Sequence, residues 1–263
     1  IKFWGVNMGF GANFPATQQR AAELADDFAS MGINLVRLHG FDSPNGAEAS
    51  IFQNYTNNTQ QLSPSQLDKL DYFIYELKQR GIYVNLNLNC KRVFVAGDGV
   101  DSPKKVSAGE EWKSIQLVDD QLIALQKQYA QQLLSHVNPY TGVSYAQEPA
   151  IAMIELENEN SLYRYWYSGG LDNLNAHYSG VMKQKWNNWL AAKYGNDWAL
   201  AEAWGLIPSS ANMLQNPGFD QEDLSLYVLD ANNKAVGSFI RETAFANEGQ
   251  SRSKITVTHR RPP

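Results

Sequence analysis

The chain has 263 residues, a formal net charge of −5, 43% hydrophobic residues and 19% charged residues. This length and balance are typical of a globular protein with a large core and argue against general disorder. The negative charge argues against nucleic acid or an anionic membrane surface as a partner. No apolar run approaches the ~20 residues of a membrane span. One cysteine and four scattered histidines predict neither a disulfide framework nor a metal site, and we expect no cofactor.

Strands and helices are predicted to alternate four times along the first two thirds of the chain. Helical periodicity follows the first strand, with Thr17 as a cap and Gly32 as a stop, and it follows the second strand, with Ser63 as a cap and Pro64 in the first turn. This alternation predicts an α/β fold with parallel strands and helices outside. The four predicted strands are the runs KFWGVNMGF, INLVRLHGF, IYVNLNLNC and AIAMIELEN.

Two more helices and a short β-rich segment are predicted beyond the fourth strand. From about Ile207 the sequence changes to short alternating or β-branched runs separated by Asn, Gly and Ser. We therefore expect one domain over residues 1–205 and a partial β-sandwich over residues 206–263. Four tryptophans at helical intervals are predicted to be core residues, namely Trp186, Trp189, Trp198 and Trp204.

Polar residues cluster where the predicted strands end. The loops after the carboxyl ends of parallel strands form the active face of such folds, so these residues should converge on one rim. Strand two ends with Arg37 and His39, strand three leads to Asn89 and Arg92, and strand four ends with Glu157, Asn158 and Glu159.

Glu155, Glu157 and Glu159 alternate along the fourth strand and share a side if that strand stays regular. Crowded like charges raise one another's pKa, so one carboxyl should stay protonated unless Arg37 and Arg92 neutralise the others. A carboxyl with a raised pKa suits general-acid protonation of a leaving oxygen. A purely structural ion-pair network is the alternative that spacing alone leaves open.

The segments GVNMGF, GINLVRLHG, HVNPYTGVSY and EPAIAMIELENENSL resemble the first four units of clan A glycoside hydrolases, with the cellulase-like family 5 as the nearest likeness. The resemblance implies a (β/α)8 barrel and a double displacement by two glutamates. By this resemblance Glu159 is the acid/base, Asn158 binds the sugar 2-hydroxyl, Arg37 orients a catalytic carboxylate and His39 lines the floor. From their positions at the end of the fourth strand, Glu157 is expected to be a rim residue that meets substrate or Arg92, and Glu155 a buried partner of Arg37.

The sequence departs from this family because four strands are predicted where a full barrel has eight. No residue matches the strand-seven nucleophile, so none is assigned. The run NMLQNPGFDQEDLSLYVLD resembles the start of a jelly-roll carbohydrate-binding module. We expect a truncated gene, a shortened chain or a natural half-barrel, and in the last case two copies could associate through exposed sheet edges.

Aromatic side chains in loops after strands can stack on the apolar faces of sugar rings. Trp112 and Trp166 are the candidates, with simple packing as the alternative. Cys90 lacks the accompanying histidine and asparagine signature of a thiol nucleophile, so no catalytic role is predicted for it.

Two functions remain open on the sequence. The first is hydrolysis of β-glycosidic bonds in a plant-type polysaccharide by an endo-β-1,4-glucanase-like enzyme, with Glu159 as general acid/base and the nucleophile absent from this chain. The second is a catalytically silent glycan-binding half-barrel or relic. Either protein would bind polysaccharide or oligosaccharide, and we expect it to be secreted or extracytoplasmic.

Overall fold

The computed structural model describes residues 1–44, 49–53, 55 and 57–206, together with the backbone of two later strands. The predicted runs between residues 207 and 235 lie outside the described residues. The chain divides into two compact units, Ile1–Asn187 and Asn188–Pro263.

The first unit is built on a four-stranded parallel sheet with the order β1-β2-β3-β4. Neighbouring strands are in register, as Arg37 pairs with Asn7 on one side and with Asn85 on the other. The sequential parallel order is that of the first four units of a (β/α)8 barrel, which confirms the predicted fold class. The strands are β1 (Gly5–Gly9), β2 (Leu35–His39), β3 (Tyr83–Asn89) and β4 (Ile151–Glu157).

Helices follow the strands, and their starts agree with the predicted caps. Thr17 Oγ1 accepts a hydrogen bond from the Arg20 amide at 3.1 Å, and Ser63 caps the second helix with Pro64 in its first turn. Asp119 caps the third helix. The α-helices of the described residues are α1 (Gln18–Ser30), α2 (Pro64–Gln79), α3 (Asp120–Ser135), α4 (Leu162–Tyr167), α5 (Ala176–Tyr194) and α6 (Asp197–Ala203).

The core lies between the sheet and the helices that cover it. Val36 and Leu38 of β2 are fully buried, as are Leu70 and Leu77 of α2, and they belong to one continuous apolar cluster. Burial of this kind contributes roughly 1.5–3 kcal/mol per large side chain. Strand β4 differs, because Leu156 is 68% exposed and its neighbours Met153 and Ile154 are also exposed.

The tryptophans of the last two helices are not buried, contrary to prediction. Trp186, Trp189, Trp198 and Trp204 are each about half exposed. Helical spacing shows that a helix has an apolar face, but it does not show that a neighbour covers that face.

The chain's later β-rich part contains an antiparallel pair in the second unit. Strand β5 (Val236–Glu242) pairs with β6 (Arg252–His259). This agrees with the predicted short C-terminal β segment, whereas its assignment to a carbohydrate-binding module stays a prediction. Within the described part of the chain, no helix is long and apolar enough to cross a membrane.

Candidate active site

An ion pair joins the second and fourth strands at the carboxyl end of the sheet. Arg37 Nε and Nη2 donate to the two carboxylate oxygens of Glu155 at 2.6 and 2.7 Å. Asn85 Nδ2, on the strand between them, donates to the same carboxylate at 2.6 Å. These hydrogen bonds, chiefly those from Arg37, hold the pKa of Glu155 below its usual value. The predicted pairing of Glu155 with Arg37 is confirmed, but the Glu155 side chain is 31% exposed and not buried as predicted.

Asn158 is oriented by hydrogen bonds to its side-chain oxygen. Arg37 Nη2 donates to Asn158 Oδ1 at 3.0 Å, and Asn87 Nδ2 donates to the same atom at 3.2 Å. With the oxygen occupied by two donors, the amide nitrogen is the end of Asn158 that can donate to a ligand hydroxyl. This orientation fits the predicted contact with a sugar hydroxyl, which stays a prediction.

Glu159 lies beyond the regular strand, because β4 ends at Glu157. Its backbone is left-handed, with φ at +47°, and its side chain is exposed. The regular alternation expected for Glu155, Glu157 and Glu159 therefore stops before Glu159. The left-handed conformation of Glu159 turns the chain out of the strand direction at this residue.

Glu157 is the glutamate whose pKa is raised. Burial raises its pKa to about 7 from 4.5, against the opposing effects of a hydrogen bond from Asn160 and the charge of Lys113. Asn160 Nδ2 donates to Glu157 Oε2 at 3.3 Å, while Oε1 is buried and has no hydrogen-bond partner among the described residues. The sequence predicted one protonated carboxyl from like-charge crowding, whereas desolvation is the principal cause here.

Arg92 does not reach the rim, contrary to prediction. It is 3% exposed and its guanidinium donates to the carbonyls of Thr59 and Leu125. Its guanidinium carbon lies 4.8 Å from the ring centroids of both Phe52 and Phe94. Arg92 thus fixes the loops beneath the site and is available neither to substrate nor to Glu157.

The inward turn at Arg92 is set by a buried carboxylate. Asp42 accepts hydrogen bonds from the backbone amides of Cys90, Lys91 and Arg92 at 2.8 to 3.0 Å. Burial raises the pKa of Asp42 to about 6, although these three amides lower it. The chain after β3 is therefore folded back over the sheet end.

His39 and Asn89 lie at the floor of the site rather than on an open rim. Asn87 Nδ2 lies 3.1 Å from His39 Nδ1, and burial lowers the pKa of His39. Asn89 is 8% exposed and donates to the Leu156 carbonyl at 2.9 Å, which ties β3 to β4. A direct substrate contact by Asn89 is therefore not supported, because its amide is used inside the sheet.

Cys90 has a histidine neighbour that the sequence did not indicate. Its Sγ lies 3.2 Å from His39 Nε2. Burial raises the pKa of the Cys90 thiol to about 12, so the thiolate that a nucleophile needs is not formed near neutral pH. The absence of a predicted catalytic role for Cys90 agrees with this environment.

The two tryptophans predicted to stack on sugar differ in exposure. Trp112 is 8% exposed and packs edge-on against Tyr178, so it is a core residue and that prediction is wrong. Trp166 is 62% exposed on α4 and lies 5.8 Å from Tyr163, measured between ring centroids. Tyr163 is also nearly parallel to Tyr167, and the three rings form an exposed aromatic surface after β4.

Sequence reasoning missed Lys113, which begins a short 3-10 helix, Lys113–Leu117. Its ammonium group donates to the Asn158 carbonyl. The residue sits in an aperiodic loop, and no local pattern marked it. Among the described residues, no three His, Cys, Asp or Glu side chains cluster as a metal site would require.

Comparison with known proteins gives a partial likeness. Neither a protein-family model nor a curated protein matches the chain. Among solved structures, the endo-1,4-beta-mannanase from Rhizomucor miehei is 21% identical with a TM-score of 0.47, covering 60% of this chain and 43% of that one. The endo-1,4-beta-D-mannanase from Thermotoga petrophila RKU-1, solved with maltose and glycerol, is 22% identical with a TM-score of 0.48, covering 70% and 52%.

A third similar structure is the glycoside hydrolase family 5 mannosidase from Rhizomucor miehei. It is 15% identical with a TM-score of 0.43, and the match covers 65% of this chain and 49% of that one. The chain thus spans about half or less of the length of these three structures.

Proposed function

We propose that this chain carries the acid/base half of a β-glycoside hydrolase site that acts on a β-1,4-linked polysaccharide. The observation that carries the proposal is the oriented Asn158 beside the exposed Glu159. Arg37 donates to Asn158 Oδ1, and the same guanidinium is itself held in place by Glu155. A donor amide beside a carboxyl group is an arrangement suited to a sugar hydroxyl and a glycosidic oxygen.

In the proposed reaction Glu159 donates a proton to the leaving glycosidic oxygen and later removes a proton from the attacking water. Asn158 Nδ2 donates a hydrogen bond to a ring hydroxyl. Retention requires a second carboxylate about 5 to 5.5 Å from the first, acting as nucleophile. We assign that group to no residue of this chain, so full activity depends on a complementary half.

The exposed surface of Tyr163, Trp166 and Tyr167 supports a polysaccharide substrate. Each ring is more than 60% exposed, and together they offer flat apolar faces beside the carboxyl end of β4. Sugar rings present apolar C–H faces that stack on such side chains. A polymeric glycan is met outside the cell, so an extracytoplasmic location is part of the same proposal.

The two free edges of the described sheet favour association with a second copy, which would supply a second Glu159 rather than the strand-seven nucleophile, a pair better suited to inversion than to retention. In the described sheet β1 pairs only with β2, and β4 pairs only with β3. Unpaired strand edges and the exposed Leu156 favour pairing with another chain. We propose that a second copy can occupy these edges, and sedimentation velocity over a range of concentrations tests this directly.

The test of function compares Glu159→Gln with Glu157→Gln and with the surface control Glu23→Gln. Release of reducing ends is measured on carboxymethylcellulose and on galactomannan, since the described half does not discriminate glucan from mannan. We expect at least a 100-fold loss for Glu159→Gln and an unchanged rate for Glu23→Gln. A large loss confined to Glu157→Gln would transfer the acid role to Glu157.

Binding measurements separate hydrolysis from the silent alternative. Calorimetry with cello- and manno-oligosaccharides is carried out on the same variants. Wild-type protein that binds these sugars but releases no reducing ends would support the glycan-binding function and reject the hydrolase. Wild-type protein that neither binds nor hydrolyses them would reject both.

A further inference from the structure

Lys113 is a buried cation beside the candidate acid/base. It is 5% exposed, and its ammonium group donates to the carbonyl oxygen of Asn158. A buried ammonium group is costly unless its hydrogen bonds and charge are compensated. Burial lowers the pKa of Lys113, while the charge of Glu157 acts in the opposite direction.

Lys113 contacts the residues on both sides of Glu159. Its ammonium group binds the carbonyl of Asn158, and its own carbonyl accepts a hydrogen bond from Asn160 Nδ2 at 3.4 Å. The backbone N–H of Asn158 donates to the carbonyl oxygen of Asn89, at the end of β3, at 3.0 Å. The two peptide groups that flank Asn158 are therefore both held, the first by Asn89 and the second, which leads into Glu159, by Lys113.

The backbone of Glu159 needs such support. A left-handed conformation costs a residue other than glycine roughly 1–2 kcal/mol, and it persists where the surroundings determine it. Glu159 has φ at +47°, while its side chain is exposed and gives little packing to offset this cost. The surrounding support visible in the structure comes from its two neighbours, both of which Lys113 contacts.

We propose that Lys113 is a positioning residue for Glu159: its ammonium group fixes the Asn158 peptide and thereby the left-handed turn that carries Glu159 beyond the end of β4. This inference rests on the proposed function for the role of Glu159. The effect of Lys113 on the backbone conformation of Glu159 can be tested without any substrate.

The positive charge of Lys113 also affects the pKa of Glu157. It lowers the pKa of Glu157, while the charge of Asp42 and, above all, burial raise it. The charges of Asp42 and Lys91 also act on Lys113, in opposite directions. Loss of the Lys113 charge should therefore raise the midpoint of the Glu157 titration.

The experiment uses the full chain and compares wild type with Lys113→Met and Lys113→Gln. Gln keeps an N–H donor without the charge, whereas Met removes both, and Lys105→Met is the control at an exposed lysine. Backbone NMR shifts and the amide-to-Hα coupling report the Glu159 turn, and the carboxyl carbon shifts of labelled glutamate report the titration of Glu157.

We expect Lys113→Met to move the Glu159 backbone signals away from left-handed values and to raise the Glu157 midpoint. Lys113→Gln should keep the wild-type backbone signals and raise the midpoint alike. Unchanged Glu159 signals in Lys113→Met would overturn the proposal. If Lys113→Met does not fold, slow solvent exchange of the wild-type Lys113 ammonium protons decides the question, and rapid exchange would overturn the proposal.

These readouts keep the two proposals distinguishable. Loss of the Glu159 turn in Lys113→Met, without any hydrolysis by the wild type, would reject the hydrolase and retain the positioning role. Hydrolysis by the wild type, together with an unchanged Glu159 turn in Lys113→Met, would retain the hydrolase and reject the positioning role of Lys113.

Discussion

The guanidinium group of Arg37 on β2 binds both carboxylate oxygens of Glu155 on β4, two strands away. The pair spans β3 and fastens the carboxyl ends of three strands, because Asn85 of β3 donates to the same carboxylate. Both side chains are less than one third exposed, at 28% and 31%. The pair is therefore better shielded from solvent than an ordinary surface ion pair.

We expect Arg37→Met to destabilise the fold by about 1–3 kcal/mol and to weaken oligosaccharide binding, since Asn158 loses one of its two orienting donors. Urea unfolding and calorimetry measure the two effects. The control is Arg20→Met, whose ion pair with Glu23 is about half exposed and should contribute less than about 1 kcal/mol. Equal stability losses in the two variants would contradict the structural role of the Arg37 pair.

Trp166→Ala and Trp112→Ala should have opposite consequences. Trp166 is 62% exposed, so its removal should weaken glycan binding with little change in the free energy of unfolding. Trp112 is 8% exposed, so its removal should cost about 3–5 kcal/mol of stability. Thermal unfolding and binding isotherms test the pair together. Unaltered glycan binding in Trp166→Ala would contradict a role of the aromatic surface in the proposed site.

Glu157 should make the stability of the chain depend on pH. Its folded-state pKa is raised from 4.5 to about 7, so its contribution is fully present below about pH 4.5 and is lost as pH rises through 7. Gln at position 157 stays neutral at every pH. The difference in free energy of unfolding between Glu157→Gln and wild type should therefore be about 1–3 kcal/mol more favourable to the variant at pH 8 than at pH 4. Urea midpoints at both values measure the difference. A gain of the same size at both pH values would contradict the raised pKa.

Arg92→Met should destabilise the fold by about 3–5 kcal/mol, because the carbonyls of Thr59 and Leu125 lose their buried donors and Asp98 nearby loses a compensating charge. Chemical denaturation measures this loss. At a temperature where the variant stays folded, its affinity for oligosaccharide should equal that of wild type. Weaker oligosaccharide binding by the folded variant would contradict a purely structural role and support the predicted contact of Arg92 with substrate.

Local patterns were sufficient for the sheet and for one ion pair. Alternation of apolar residues located the strands, and the polar residues ending β2 and β4 were correctly expected to meet, because parallel strands bring their carboxyl ends together. Caps such as Thr17 and Ser63 depend on neighbours three residues away, so they too can be read from sequence.

Long-range contacts explain what could not be predicted. Arg92 turns inward because Asp42, fifty positions earlier, binds its amide and the two before it. Lys113 reaches Asn158 across forty-five positions from a loop without periodicity. The alternation of three glutamates predicted one raised pKa from like-charge crowding, but it did not indicate that burial of the Glu157 carboxyl would be the cause.

The exposed edge of strand β4 should affect the rate at which native protein is lost through association. Its free edge adjoins the exposed side chains of Met153, Ile154 and Leu156, so encounter between two folded molecules offers a route to association that requires no prior unfolding. Loss of native protein by this route is second order. Its half-life should shorten in proportion to protein concentration, whereas unfolding-limited loss would be independent of concentration.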